Sequence, residues 1–386
     1  MDAKELMKER HEIFDDAMRR KEPKRVPLMS SVNTWRIFDA GHTLSEALND
    51  YELMEEIVTS CHEKYPFDGY TDFGNRNPIR ITDAMGGSLY VIDDEAGSVN
   101  YLDKEPMPAE DYPLFIKNMS KYLFERFIPG RFKLEGPKDA IPKLRDAAKE
   151  MLEFKKSTAH IQDIMAEKYG ALFRTHVRYN APVEFMFNYI RGFKGIAIDM
   201  RRNKEQLKEA LDMLDQTLYP SFIEKMDTMD TARFYSDTCT TLLAHASMSP
   251  KQFEEFYWPY LKKALEAVFE RDKTIWIFVE ESLARFLPFF MDLPDGAMAT
   301  HLDNEDIYSI KQQVGDKFCL SGGFPTTLLG NGTPQECSDY AKKLIDDFAP
   351  GGGFIFGIDK MLSFKNDAKS ENLKALCDTV LTYGAK

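Results

Sequence analysis

No run of 18 apolar residues occurs in the 386-residue sequence, so no transmembrane helix is expected. Cysteine is scarce. Cys61, Cys239, Cys319, Cys337 and Cys377 are odd in number, far apart and without a CxxC pair, which excludes a disulfide framework. Each reads by default as a small thiol in a reducing compartment, and Cys239 is held open because it falls at an expected strand end in YSDTC. Positive charge is in deficit. Fifty Lys and Arg face 63 Asp and Glu, for a net charge of −13 and a pI near 5.2. That argues against nucleic acid or an anionic membrane as partner. No GxGxxG follows the first strand, which removes the usual dinucleotide-binding signature. The opening MDAKELMKERHEIFDDAMRR lacks the apolar segment of a signal peptide and reads as a charged amphipathic helix over about 1–22. The chain is expected in the cytoplasm.

What is present is apolar mass and alternation. Hydrophobic residues make up 43% of the chain and include 28 Phe, enough for a large core. Short β-branched and aromatic runs alternate with helical stretches of roughly 10 to 20 residues, the pattern of a parallel sheet. About eight such units favour a closed (β/α)8 barrel over a doubly wound sheet. Residues 79–102 alternate around turns at Gly86-Gly87 and Glu95-Ala96-Gly97 and read as an added hairpin, and Pro106 to Pro142 reads as irregular. The expectation is one barrel domain over 1–386, with an insertion near 79–140.

The most informative stretch is TIWIFVEESLARFLPFFMDLPDGAMATH, Thr274 to His301. It reads as a buried strand ending on Glu280 and Glu281, then a helix, then a short strand over Ala297–Thr300 ending on His301. Ligands bind at the C-terminal strand ends of parallel α/β folds, so Glu280 and His301 are a candidate pair of metal ligands. The plainer reading of Glu280 is an acid in the first turn of the next helix.

Several phrases, in order, resemble the uroporphyrinogen decarboxylase superfamily across nearly the whole chain: AMRRKEPKRVPLM, APVEFMFNYIRGFKGIAIDMRRNKEQL, YSDTCTTLLAHASMSPKQFEEFYWPYLKK and FCLSGGFPTTLLGNGTPQE. The resemblance implies the distorted barrel of that superfamily, which holds haem-pathway decarboxylases and cobalamin-dependent methyltransferases. True decarboxylases carry Arg-Gln-Ala-Gly-Arg-Tyr after the first strand. Here that place reads SSVNTWRIFDAG, with Arg36 alone, and a ligand with many carboxylates needs several such partners. Methyltransferases acting on coenzyme M carry His-x-Cys where this chain has Phe278 and Glu280, and a late Cys where it has GGFIFGIDK. The pattern is similar to the branch that takes methyl groups from aryl methyl ethers and passes them to a partner corrinoid protein.

That resemblance implies zinc as Lewis acid on the ether oxygen and cob(I)alamin, on the partner, as nucleophile. Glu280 and His301 would supply two zinc ligands, with Glu281, Asp237, Cys239 and Asp359 as candidates for a third. Asp237 or His176 could serve as general acid. Trp35, Tyr70, Phe73, Tyr179 and Phe324 are candidates for an apolar wall around the aryl ring, with Arg36 beside them. His11, His42, His62, His160 and His245 read as structural. The insertion could shape the mouth to which the corrinoid protein docks. Other donors (methanol, a methylamine, a methylthiol), a catalytically silent tetrapyrrole-binding barrel, and a homodimeric assembly stay open as alternatives.

Overall fold

The computed structural model describes residues 2–72, 79–87, 89–102 and 106–385. Phe73, one of the residues expected in the substrate wall, lies outside them. Among the described residues one antiparallel hairpin, Tyr90–Asp93 with Ser98–Tyr101, pairs only with itself. The other strands are β1 (Met29–Ser30), β2 (Gly69–Tyr70), β3 (Leu172–Phe173), β4 (Thr238–Leu242), β5 (Thr274–Val279), β6 (Ala297–Leu302), β7 (Cys319–Phe324) and β8 (Phe354–Ile358). β1, β2 and β3 pair in parallel, and so do β4 to β8, in chain order.

Single bridges close the two seams. Leu28 pairs with Phe356, whose N–H donates to the Pro27 carbonyl at 2.9 Å. On the other side Phe173 pairs with Phe234 and Arg178 with Cys239. The result is an eight-stranded parallel (β/α)8 barrel.

Alternate strand residues point inward and meet. Met29, Leu172, Cys239, Trp276, Ala299, Cys319 and Ile355, one each from β1 and β3–β8, form one buried cluster with Tyr235. Its floor is the N-terminal helix, Ala3–Met18, which contributes Phe14, Ala17 and Met18. Asp2 and Glu5 start that helix with a reciprocal capping box. On β2 the inward position is Gly69, where a Cβ would lie 2.9 Å from Phe14 Cζ. The missing side chain makes room for the plug. Asp68 fastens it: fully buried, its carboxylate accepts from Arg10 Nε at 2.8 Å, from both Arg25 Nη atoms at 2.6 and 2.8 Å, and from the Leu28 N–H at 2.9 Å.

Several local expectations are corrected. Residues 106–142 are largely helical rather than irregular, with helices at Tyr112–Lys117, Met119–Tyr122 and Ile128–Arg131. Pro142 lies inside the long helix Pro137–Tyr169. The helix expected over Pro250–Glu270 breaks at Tyr257, because Pro259 can start a helix but not continue one. β6 runs on through His301 to Leu302, and only Leu172 and Phe173 of LFRTHVRYN are strand. The segment expected as the strand ARFYSDT pairs properly only from Thr238, so Asp237 stands at the start of β4, not its end.

Candidate functional site

His301 is built into the barrel wall. It lies opposite Phe278 in the β5–β6 register. Its ring stacks on Trp276 (centroids 5.6 Å apart, planes at 25°) and on Phe278 (5.5 Å, 17°). Nδ1 lies 3.1 Å from Ser321 Oγ on β7. On β8, Gly357 leaves room for the ring, since a Cβ there would come within 3.1 Å of His301 Cε1. Burial lowers the imidazole pKa to about 4, so the ring is neutral near pH 7. With Nδ1 engaged by Ser321, Nε2 is the nitrogen left for a ligand.

Glu280 follows β5, exposed, with its N–H on the Leu242 carbonyl at 3.0 Å. It is one pleat, roughly 7 Å, beyond Phe278. The residue on the neighbouring strand at that level is Asp303, which sequence reading did not single out. Burial, and then the nearby charges of Glu280 and Asp359, push the Asp303 carboxyl up to about 6, while the Glu281 N–H opposes the shift. Carboxylates from the ends of β5, β6 and β8 thus share one patch at the mouth. As donors, a neutral imidazole and carboxylates suit zinc. Among the described residues, no three His, Cys, Asp or Glu side chains are grouped as a metal site requires.

The other expected site residues scatter. Glu281 is exposed, with φ of 64°, and meets Asp303 through its backbone rather than its carboxylate. Asp237 is at the opposite end of the barrel, bound to Thr231 Oγ1 at 2.7 Å and to the Thr274 N–H at 2.9 Å, with Lys273 3.5 Å away. It ties β4 to β5 and cannot reach the mouth. Cys239 is buried in the interior cluster, its thiol on the Thr175 carbonyl at 3.5 Å and its pKa raised by burial. Asp359 accepts from the Thr326 N–H (2.8 Å) and Oγ1 (2.5 Å), holding the start of the helix Thr326–Asn331 that follows β7.

Trp35 is buried, with Nε1 on the Ala368 carbonyl at 3.0 Å. Arg36 is buried too, and spends its guanidinium on the main-chain carbonyls of Asn33 (3.0 Å), Val32 and Asp72. Tyr179 donates to Asp215 at 2.8 Å and packs on Phe222, away from the mouth. Phe324 is buried against Tyr340 and Phe356. Tyr70 is buried with its hydroxyl 2.5 Å from His62 Nδ1, and borders a cleft of ≈ 350 Å³ between the ends of β2 and β3 and the long helix. His176 lines the same cleft, its ring edge-on to Phe234 at 5.5 Å. Burial, with the charges of Arg174 and Lys225, lowers its pKa and keeps it neutral. Arg174 and Arg178 line this cleft as well. The signal for them in the sequence is Arg-x-His-x-Arg at alternate positions after β3.

Comparison with known proteins fits this layout. Over 98% of both chains the fold superposes on a methyltransferase from Methanosarcina mazei, with a TM-score of 0.59 at 17% identity, a likeness of fold. A uroporphyrinogen decarboxylase of Pseudoalteromonas translucida (strain TAC 125) is 24% identical over 151 residues, which span 36% of this chain and 39% of that protein. Among the described residues no helix is long and apolar enough to cross a membrane. The family model for uroporphyrinogen decarboxylase (URO-D) matches residues 139–383, a span that holds β3 to β8 with Glu280, His301 and the cleft arginines, and the chain belongs to that family.

Proposed function

We propose that this chain is a methyltransferase that takes the methyl group of an aryl methyl ether and delivers it to cob(I)alamin on a partner corrinoid protein. The observation that carries the reading is His301: a neutral, buried imidazole, oriented by Ser321, flanked by Trp276 and Phe278, one strand from Glu280. The fold likeness to a protein described as a methyltransferase supports it. Glu280 and His301 would hold a zinc ion, with Asp303 a further carboxylate in the field of Glu280. Bound there, zinc would act as a Lewis acid for the ether oxygen, worth several kcal/mol on a developing phenolate.

The chain's own residues prepare the rest. Trp276 and Phe278 stack on the His301 ring and hold it in the wall with water excluded from its faces. His176, held neutral at the cleft, suits accepting a proton more than giving one near pH 7. Asp237, on the far side of the barrel, has no part in the chemistry. Decarboxylation of a polycarboxylate tetrapyrrole is disfavoured by Arg36, whose guanidinium is turned onto its own loop.

The test is metal content by mass spectrometry and methyl transfer to reduced corrinoid protein, on wild type, Glu280→Ala and His301→Ala. The expected result is about one zinc per chain, lost in both variants together with transfer. A zinc-free wild type that still demethylates methoxylated aromatics would sink the Lewis-acid role. A zinc-loaded wild type that transfers methyl only from methanol, a methylamine or a methylthiol would overturn the aryl ether.

A further inference from the structure

Among the described residues, two arginines at the barrel mouth, Arg174 and Arg178, have no counter-charge within ion-pair distance. Leu172 points into the barrel, so Arg174, two residues on, faces the same way. Cys239 also points inward, and Arg178, its bridge partner, shares that face. Both line the ≈ 350 Å³ cleft, whose walls include Tyr70, Phe154 and Phe173. Among the described residues, neither guanidinium makes a side-chain hydrogen bond or an ion pair within 4.0 Å.

Arg178 Nε is fully buried and without a partner. So is the hydroxyl of Tyr235, which lies in the field of Arg174. Burial, with the charge of Arg174 beside it, lowers the pKa of Arg178, so the two cations crowd one another. Among the described residues, the carboxylate of Asp72 acts on Arg174 and that of Glu184 on Arg178, each from beyond ion-pair distance. A buried cation with an orphaned donor is costly, and two that converge on a cavity form a receptor for an anion. The fork of a guanidinium matches the two oxygens of a carboxylate.

We propose that Arg174 and Arg178 bind the carboxylate of a single-ring aromatic ligand in this cleft. Identification of that ligand as the donor rests on the methyltransferase reading; the anion site itself does not. The cleft volume is at the small end for ligand pockets and suits one aromatic ring better than a tetrapyrrole.

The experiment is calorimetric binding to the purified full chain, without corrinoid protein, so that a failure of methyl transfer cannot be mistaken for a failure of binding. The probes are 4-methoxybenzoate, its neutral counterpart 4-methoxytoluene, phenyl phosphate and uroporphyrin. Wild type should bind 4-methoxybenzoate at least about tenfold more tightly than 4-methoxytoluene, and Arg174→Gln and Arg178→Gln should each erase that preference. Affinity of the variants for 4-methoxytoluene should stay at the wild-type level, and thermal melting should show both variants folded. Equal binding of the two methoxy probes by wild type, or an undiminished preference in both variants, overturns the proposal. Tighter binding of phenyl phosphate overturns the carboxylate in favour of a phosphate ester. Tighter binding of uroporphyrin overturns the single-ring ligand.

Discussion

Asp68 shows how much one side chain carries here. Its carboxylate is fully buried and joins the N-terminal helix through Arg10, the approach to β1 through Arg25 and Leu28, and its own place before β2. Burial alone would raise its pKa. The Arg25 hydrogen bonds, with the charges of Arg10 and Arg25, outweigh that and hold it below the usual carboxylate range. A depressed folded-state pKa means a stabilising contribution that is complete above the unfolded value of about 3.9 and disappears as pH falls through the folded value. Asp68→Asn leaves the buried Arg10 guanidinium without its anion and Arg25 with Glu9 alone, so it should cost about 3–5 kcal/mol at pH 7. In urea titrations at falling pH the wild type and the variant should converge below about pH 4. Equal stability at pH 7 would remove Asp68 from this role. Gly69 beside it makes a second case. A Cβ there meets Phe14 Cζ at 2.9 Å, so Gly69→Ala should cost about 1–3 kcal/mol by overpacking. Limited proteolysis should then cut the first 18 residues faster than in wild type.

At the scale of elements, the N-terminal helix is part of the barrel core, not an appendage. Phe14 is completely buried and touches Tyr235, with ring centroids 5.5 Å apart. Phe14→Ala should cost about 3–5 kcal/mol, since it opens a cavity under Trp276 and Tyr235 that rigid strands cannot close. The check is the urea midpoint together with the near-ultraviolet signal of the interior aromatics; a change under about 1 kcal/mol would mean the plug is dispensable. Elements with long, regular patterns were legible in the sequence. The first helix, β5 to β8 and the helices after β7 and β8 follow from period and caps, as in Thr333 with Glu336. Strands β1 to β3 were less legible, because only two residues of each pair and the rest of each run is loop. Asp237 was misplaced for a related reason: bridging at Phe234 starts the strand, the chain bends over 235–237, and regular pairing resumes at Thr238. Asp303 was missed because β6 runs past its expected end, so the acid that belongs beside Glu280 looked like part of the next helix's approach. Arg174 and Arg178 were passed over because unpaired cations cannot be recognised until the fold shows what surrounds them.

The whole molecule is governed by closure. β1–β3 and β4–β8 are two parallel sheets, joined by short bridges at Leu28–Phe356 and Val32–Leu362 on one side and at Phe173–Phe234 with Arg178–Cys239 on the other. The last helix, Ser370–Tyr383, hands the chain back to the start: the Val26 N–H donates to the Gly384 carbonyl at 3.0 Å, and Arg25 bridges Ala385. Neither sheet can bury its inner face without the other, and the helical plug lies across both. Partial barrels should therefore be unstable, and unfolding should be one cooperative transition despite the chain's length. The three tryptophans report on the point from different places: Trp35 after β1, Trp258 between β4 and β5, and Trp276 inside the barrel. Urea unfolding followed by tryptophan fluorescence and by far-ultraviolet circular dichroism should give coincident midpoints. Two separated transitions, with Trp35 changing apart from Trp276 in single-tryptophan variants, would show instead that the seams are weak enough for the sheets to part. The same closure bears on function, because the cleft arginines lie on the β3–β4 seam and His301 on the continuous β5–β7 wall. Loosening that seam with Phe234→Ala should weaken binding of 4-methoxybenzoate while leaving the zinc proposed for Glu280 and His301 bound as in wild type.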